Sequence, residues 1–174
     1  MGLTNRTTMG IFNKKTYQEK KQETQDVQQQ STLDLFLDVA AQLGIKAEKE
    51  ESGEIVINYM GENFAVYNNT ENPYILIRDL WWHSASLDNL ANTSLIRKAI
   101  NECNIRGDCT FFYSHNNETN EIGVHTQLII PFIKEIPNIQ EYLRSNLNGL
   151  LSAHHLFFAC MEHLREEEYS KNNH

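Results

Sequence analysis

The chain has 174 residues, enough for one ordinary domain with a substantial core. Its 15 Lys and Arg stand against 23 Asp and Glu, a formal net charge of -8. Phosphate backbones and anionic membrane surfaces are held by clustered cations, so this balance argues against nucleic acid and membrane as the main partner.

The basic residues concentrate at Lys14-Lys15 and Lys20-Lys21, inside a polar stretch of Gln and Glu. Over residues 13–30 the sizeable apolar side chains are Tyr17 and Val27, too little surface to offset the entropy of ordering a backbone. Residues 1–30 are therefore expected to be a flexible Lys/Gln-rich tail, with Ile11, Phe12 and Tyr17 as the side chains by which it would dock. Residues 1–10 hold no long apolar run, so no secretory leader is expected there. Gly2 is a poor myristoylation site, since Arg6 stands where Ser or Thr is wanted. No run approaches the roughly 20 apolar residues of a membrane span. Three cysteines, Cys103, Cys109 and Cys160, read as small reduced core residues, which points to the cytoplasm.

The single domain is expected over 31–168, with 169–174 frayed. Ser31 or Thr32 can cap a first helix that carries Leu33, Phe36, Leu37, Ala40 and Leu43 on one stripe and stops at Gly44. Ser52-Gly53 opens a strand with Ile55, Ile57 and Tyr59 on one face. Gly61-Glu62 is the expected turn into a strand over 64–67, and a third strand runs over 74–81. A helix follows over 87–104, its stripe made by Leu95, Ile96, Ala99, Ile100 and Cys103. Strands over 109–114 and 121–130 form a hairpin. In the second, Ile122, Val124, Thr126, Leu128 and Ile130 point one way, and Glu121, Gly123, His125, Gln127 and Ile129 the other. Pro137 is placed as the first residue of a last helix over 137–168. Unbroken, that helix would run about 48 Å, against a domain diameter of about 37 Å. It is expected to overhang or to bend at Asn146, Asn148 and Gly149, and to fray where Glu166, Glu167 and Glu168 oppose the dipole. The fold class is thus α+β: an antiparallel five-stranded sheet in the order α-β-β-β-α-β-β-α, with helices covering one face.

That order, with the short strands around Tyr59-Met60-Gly61-Glu62-Asn63-Phe64 and the pair Asn101 and Asn104 ending the second helix, resembles the YbjN-like bacterial proteins over residues 31–168. The resemblance implies the fold of type III secretion chaperones. It suggests either a sensory-transduction regulator or an acidic dimer that holds unfolded segments of client proteins, and it supplies no catalytic motif.

Residue chemistry points the same way. His154, His155 and His163 share the last helix with Glu162, yet metal ligands on a helix need spacings of three or four, so no metal and no cofactor is expected. Cys109 and His125 could be neighbours on paired strands, but His125 faces away and no third group is evident to orient it, so no catalytic residue is assigned. The most unusual feature is Trp81-Trp82-His83. Adjacent side chains of a strand alternate faces, so one tryptophan should pack inside and the other reach a surface. These three residues are the candidate protein-binding site.

The expected function is a non-enzymatic protein-binding module, chaperone-like or a regulatory adaptor. The alternatives are a ligand-binding protein or enzyme with a pocket near His125, and an immunity-type inhibitor masking a basic toxin. The strand over 74–81 is apolar on both sides, which suggests a symmetric homodimer whose contact centres on Trp82 and buries at least about 1,000 Å².

Overall fold

The computed structural model describes residues 30–51, 54–68 and 72–172. The 1–30 tail, apart from Gln30, and the Ser52-Gly53 strand start lie outside the described residues. In chain order the elements are α1 (Thr32–Gln42), β1 (Lys46–Lys49), β2 (Ile55–Tyr59), β3 (Glu62–Asn68), β4 (Tyr74–Ser86), α2 (Leu90–Arg106), β5 (Thr110–Asn116), β6 (Glu121–Pro131) and α3 (Ile139–Asn172).

Each helix starts and stops for a local reason. Ser31 caps α1, its Oγ accepting the Asp34 N–H at 3.1 Å. Gly44 then turns the chain at φ 74°, a left-handed conformation that glycine adopts without steric cost. Asn89 caps α2 by accepting the Asn92 N–H at 3.0 Å, so that helix begins at Leu90 and not at 87. The expected stripe of Leu95, Ile96, Ala99, Ile100 and Cys103 is buried.

Pro137 precedes α3 rather than opening it. Asn138 sits at φ 51°, and the helix starts one residue later at Ile139. α3 then runs 34 residues without a break. Its contour is about 51 Å, long enough for its C-terminal turns to overhang the core. Leu143, Leu147, Leu150, Ala153, Phe157, Cys160 and Met161 are buried, whereas most of the turns beyond Met161 are exposed. Ion pairs of Glu168 with Lys98 (2.7 Å) and Glu167 with Lys171 (3.3 Å) accompany those turns, which stay helical past the point expected to fray. Among the described residues no helix is long and apolar enough to cross a membrane.

The sheet has six strands in the order β1-β2-β3-β4-β6-β5, all neighbours antiparallel, rather than five. The additional strand is β1, Lys-Ala-Glu-Lys, exposed at every residue. It shows no apolar alternation because it is an edge, where charge discourages further strand pairing. The turn between β2 and β3 is one residue earlier than expected: Met60 and Gly61, at φ 54° and 93°, link Tyr59 to its partner Glu62.

The register puts Ile57, Phe64, Val66, Ile75, Ile77, Ile122, Val124 and Ile130 on one face, where all are buried with the helix stripes in a single core. Full burial of a side chain such as Phe36, Phe64 or Phe157 contributes about 1.5–3 kcal/mol. The other face of the sheet carries none of these core residues.

Candidate functional site

β4 continues to Ser86, so Trp81-Trp82-His83 lies in mid-strand and not at a strand end. Asp79 pairs with Thr126 and His83 with Val124. Residues 80–82 therefore stand opposite His125 alone, a bulge that breaks simple alternation. Trp81 absorbs it at φ 57°. For a bulky residue that conformation costs about 1–3 kcal/mol. Two features offset the cost. The Trp81 N–H donates to His125 Nδ1 at 3.0 Å. Gly123 also leaves room for the indole, since a Cβ there would lie 2.2 Å from a Trp81 ring carbon.

The bulge separates Trp81 from the other two candidate residues. Trp81 is 41% exposed on the face away from the helices. Trp82, at the centre of the expected dimer contact, is half-buried on the helix side. It stacks on His154 of α3 at 4.2 Å and meets Phe157 edge-on at 5.2 Å. His154 Nε2 in turn lies 2.8 Å from Asp79 Oδ2. Trp82 Nε1 is buried with no hydrogen-bond partner among the described residues. His83 packs beside Phe157 and Phe158, where burial and then the Arg165 charge lower its pKa.

On the open face an array of rings and one cation crosses four strands. Trp81 meets His125 edge-on at 5.3 Å, and Phe112 stacks on the same imidazole at 4.9 Å. Arg78 sits over Phe112 and Tyr67, and its Nε–H donates to Gln127 Oε1 at 3.2 Å. Tyr67 OH donates to Glu54. Beside this array Tyr74 is 48% and Ile129 59% exposed. The residues missed from sequence are Tyr67, Arg78 and Phe112. Each lies on the non-core side of a strand, and the signal that could have found them is an aromatic or Arg where a solvated face would carry small polar side chains.

His125 is buried, at 2% exposure, although its side chain is on the open face as its strand phase requires. Trp81 and Phe112 cover it there, so burial does not imply a reversed register. A backbone N–H can only donate, so Nδ1 is unprotonated and Nε2 carries the proton. Nε2–H therefore donates to Ser114 Oγ, 2.7 Å away. A serine nucleophile needs the opposite arrangement, a bare nitrogen facing the hydroxyl. Burial lowers the His125 pKa, Asp79 opposes that shift and Arg78 reinforces it.

Cys109 immediately precedes the Thr110–Gln127 pair, in line with the helix-side residue Leu128, so β5 and β6 place it on the face opposite His125. Burial and Asp108 push its thiol up to about 11, which disfavours the thiolate. Among the described residues no three His, Cys, Asp or Glu side chains converge as a metal site.

No family model matches the chain, and no curated protein matches it in sequence. Three solved structures resemble it, and the first is near enough to show a shared fold. An uncharacterized protein from Methanothermobacter thermautotrophicus superposes with a TM-score of 0.52 at 15% identity, over 76% of this chain and 97% of that one. YbjN from E. coli, a suggested transcription regulator, gives 0.48 at 9% identity over 78% and 93%. The HopA1-SchA chaperone-effector complex gives 0.41 at 14% over 72% and 88%. Identities this low speak to fold alone.

Proposed function

We propose that the chain is a non-enzymatic protein-binding module that engages an apolar segment of another polypeptide on the open face of its sheet. The observation that carries this reading is the exposure of Tyr74, Trp81 and Ile129 on the side of the sheet away from the helices. The hydrogen-bonded Arg78 and Gln127 lie between Trp81 and the Tyr74–Ile129 end, so the face alternates exposed apolar side chains with polar ones, a mixture that protein interfaces also show. The His125 environment supports a binding role over a catalytic one, because rings fill the space beside the imidazole and its proton is on the nitrogen that faces Ser114. The proposal includes membership of the YbjN-like family, on the element order quoted from the sequence, and a cytoplasmic location in keeping with three free thiols.

The test uses the full chain with Trp81→Ser and Ile129→Asp together. Trp81→Ser uncovers the His125 ring and is expected to cost some stability, so folding of the double variant is checked by circular dichroism. Retention of the partner captured by the wild type from its native cell should fall at least tenfold. Unchanged retention by a folded double variant would move the binding surface elsewhere. A partner identified as a second copy of the chain, or as a basic toxin, would select the homodimer or the immunity-type reading of the same surface.

A further inference from the structure

The bulge, the buried imidazole and the exposed tryptophan form one mechanical unit. Trp81 holds a left-handed backbone that its side chain does not favour, and its backbone N–H is committed to His125 Nδ1. The other ring nitrogen is committed to Ser114 of the edge strand β5. Phe112 stacks on the ring and Trp81 closes its edge, so the imidazole has little freedom to turn. We propose that His125 is a proton-operated latch: its neutral ring holds Trp81 in the bulge on the open face, and a proton taken from solvent onto Nδ1 releases it.

The step is a single proton transfer. Once Nδ1 bears hydrogen it can no longer accept, and two donors, Nδ1–H and the Trp81 N–H, face each other. The Nε2–H bond to Ser114 survives protonation, so the strain falls on the Trp81 side alone. Without its acceptor Trp81 loses the contact that offset its conformation, relaxes toward extended backbone, and withdraws the indole from its seat over Gly123.

The charged surroundings are few. From β4, Asp79 favours the cation and Arg78 disfavours it. Asp79 is turned to the helix side, where His154 engages it, so it offers no hydrogen bond to the His125 ring. From β5 the ring meets Phe112 and Ser114, neither of them charged. Burial adds to this by lowering the pH at which the ring takes its proton below the ordinary histidine range. The latch is thus closed at neutral pH and opens in mild acid. Its effect on partner docking rests on the function proposed above; the movement of Trp81 does not.

Titration of the full chain by NMR tests it, following the His125 ring and both indole N–H resonances from pH 7.5 to 4.5. The Trp81 indole should shift in step with His125, with a midpoint below 6.5, while the Trp82 indole does not follow that curve. His125→Asn places a carboxamide oxygen near the position of Nδ1 and cannot take the proton. It should keep the neutral-pH Trp81 resonance and abolish the shift, whereas His83→Asn should leave it intact. The wild-type co-titration stands without either variant. A Trp81 indole that stays put while His125 titrates would overturn the latch. So would a His125 that takes no proton while the chain is folded, or an unchanged shift in His125→Asn. Acid-sensitive partner binding with an immobile Trp81 would likewise count against the latch while leaving the docking surface standing.

Discussion

His154 Nε2 on α3 lies 2.8 Å from Asp79 Oδ2 on β4, with the Trp82 ring stacked flat against the imidazole. The Asp79 carboxylate is almost fully buried, so the bond is what satisfies it beneath the helices. Removing one partner should leave the other stranded. We predict that Asp79→Ala destabilises the fold by about 2–4 kcal/mol, measured by urea denaturation. His154→Gln, which can donate to the same oxygen but cannot stack, should cost less.

Gly123 is the floor under Trp81. Gly123→Ala puts a methyl group 2.2 Å from the present indole position, so the ring must move. The expected cost is about 1–3 kcal/mol, together with a red-shifted tryptophan emission as the indole is pushed into water. An unchanged spectrum and stability would mean that the seat is not occupied as described.

Asn104 closes part of the β5 edge. The Phe111 N–H donates to its Oδ1 at 2.7 Å, and its Nδ2 donates to the Phe111 carbonyl at 3.0 Å, so a side chain stands in for a seventh strand. Asn104→Ala should cost about 1–3 kcal/mol and speed amide exchange at Phe111 more than at Val124 in the interior of the sheet.

Much of this architecture is visible in the sequence, for identifiable reasons. The helices and the core face of β6 follow from apolar spacing, which only one side of each element can satisfy at once. That one tryptophan faces in and the other out follows from strand alternation, but the bulge reverses which does so. Trp81, in phase with Ile75 and Ile77 by sequence, lies on the open face, and Trp82 on the helix side. β1 is not visible, because a charged edge strand buries nothing and leaves no apolar period. The bulge is not visible either: no glycine or asparagine marks residues 80–82, and the left-handed residue is a tryptophan held by His125 from another strand. Tyr67, Arg78 and Phe112 form a site only once the register sets β3, β4, β6 and β5 side by side.

His125 and His83 both have pKa values lowered by burial, so the unfolded chain binds protons that the folded one refuses. Their contribution to stability is complete above pH 6.5 and is lost as pH falls from there toward the folded values, by at most about 1.4 kcal/mol per pH unit for each ring. Denaturation at pH 7.5, 6.5 and 5.5 should show stability falling mainly over the last interval. The fall should be shallower in His125→Asn. Equal slopes in wild type and variant would remove His125 from the pH response.

The central claim is that partners meet the open face of the sheet, and site-specific photocrosslinking in the native cell tests it most directly. A benzophenone side chain in place of Ile129, 59% exposed on that face, should form a covalent adduct with a second polypeptide. The same group in place of Leu90, 77% exposed at the start of α2, should form none. Adducts at Leu90 with none at Ile129 would contradict the account.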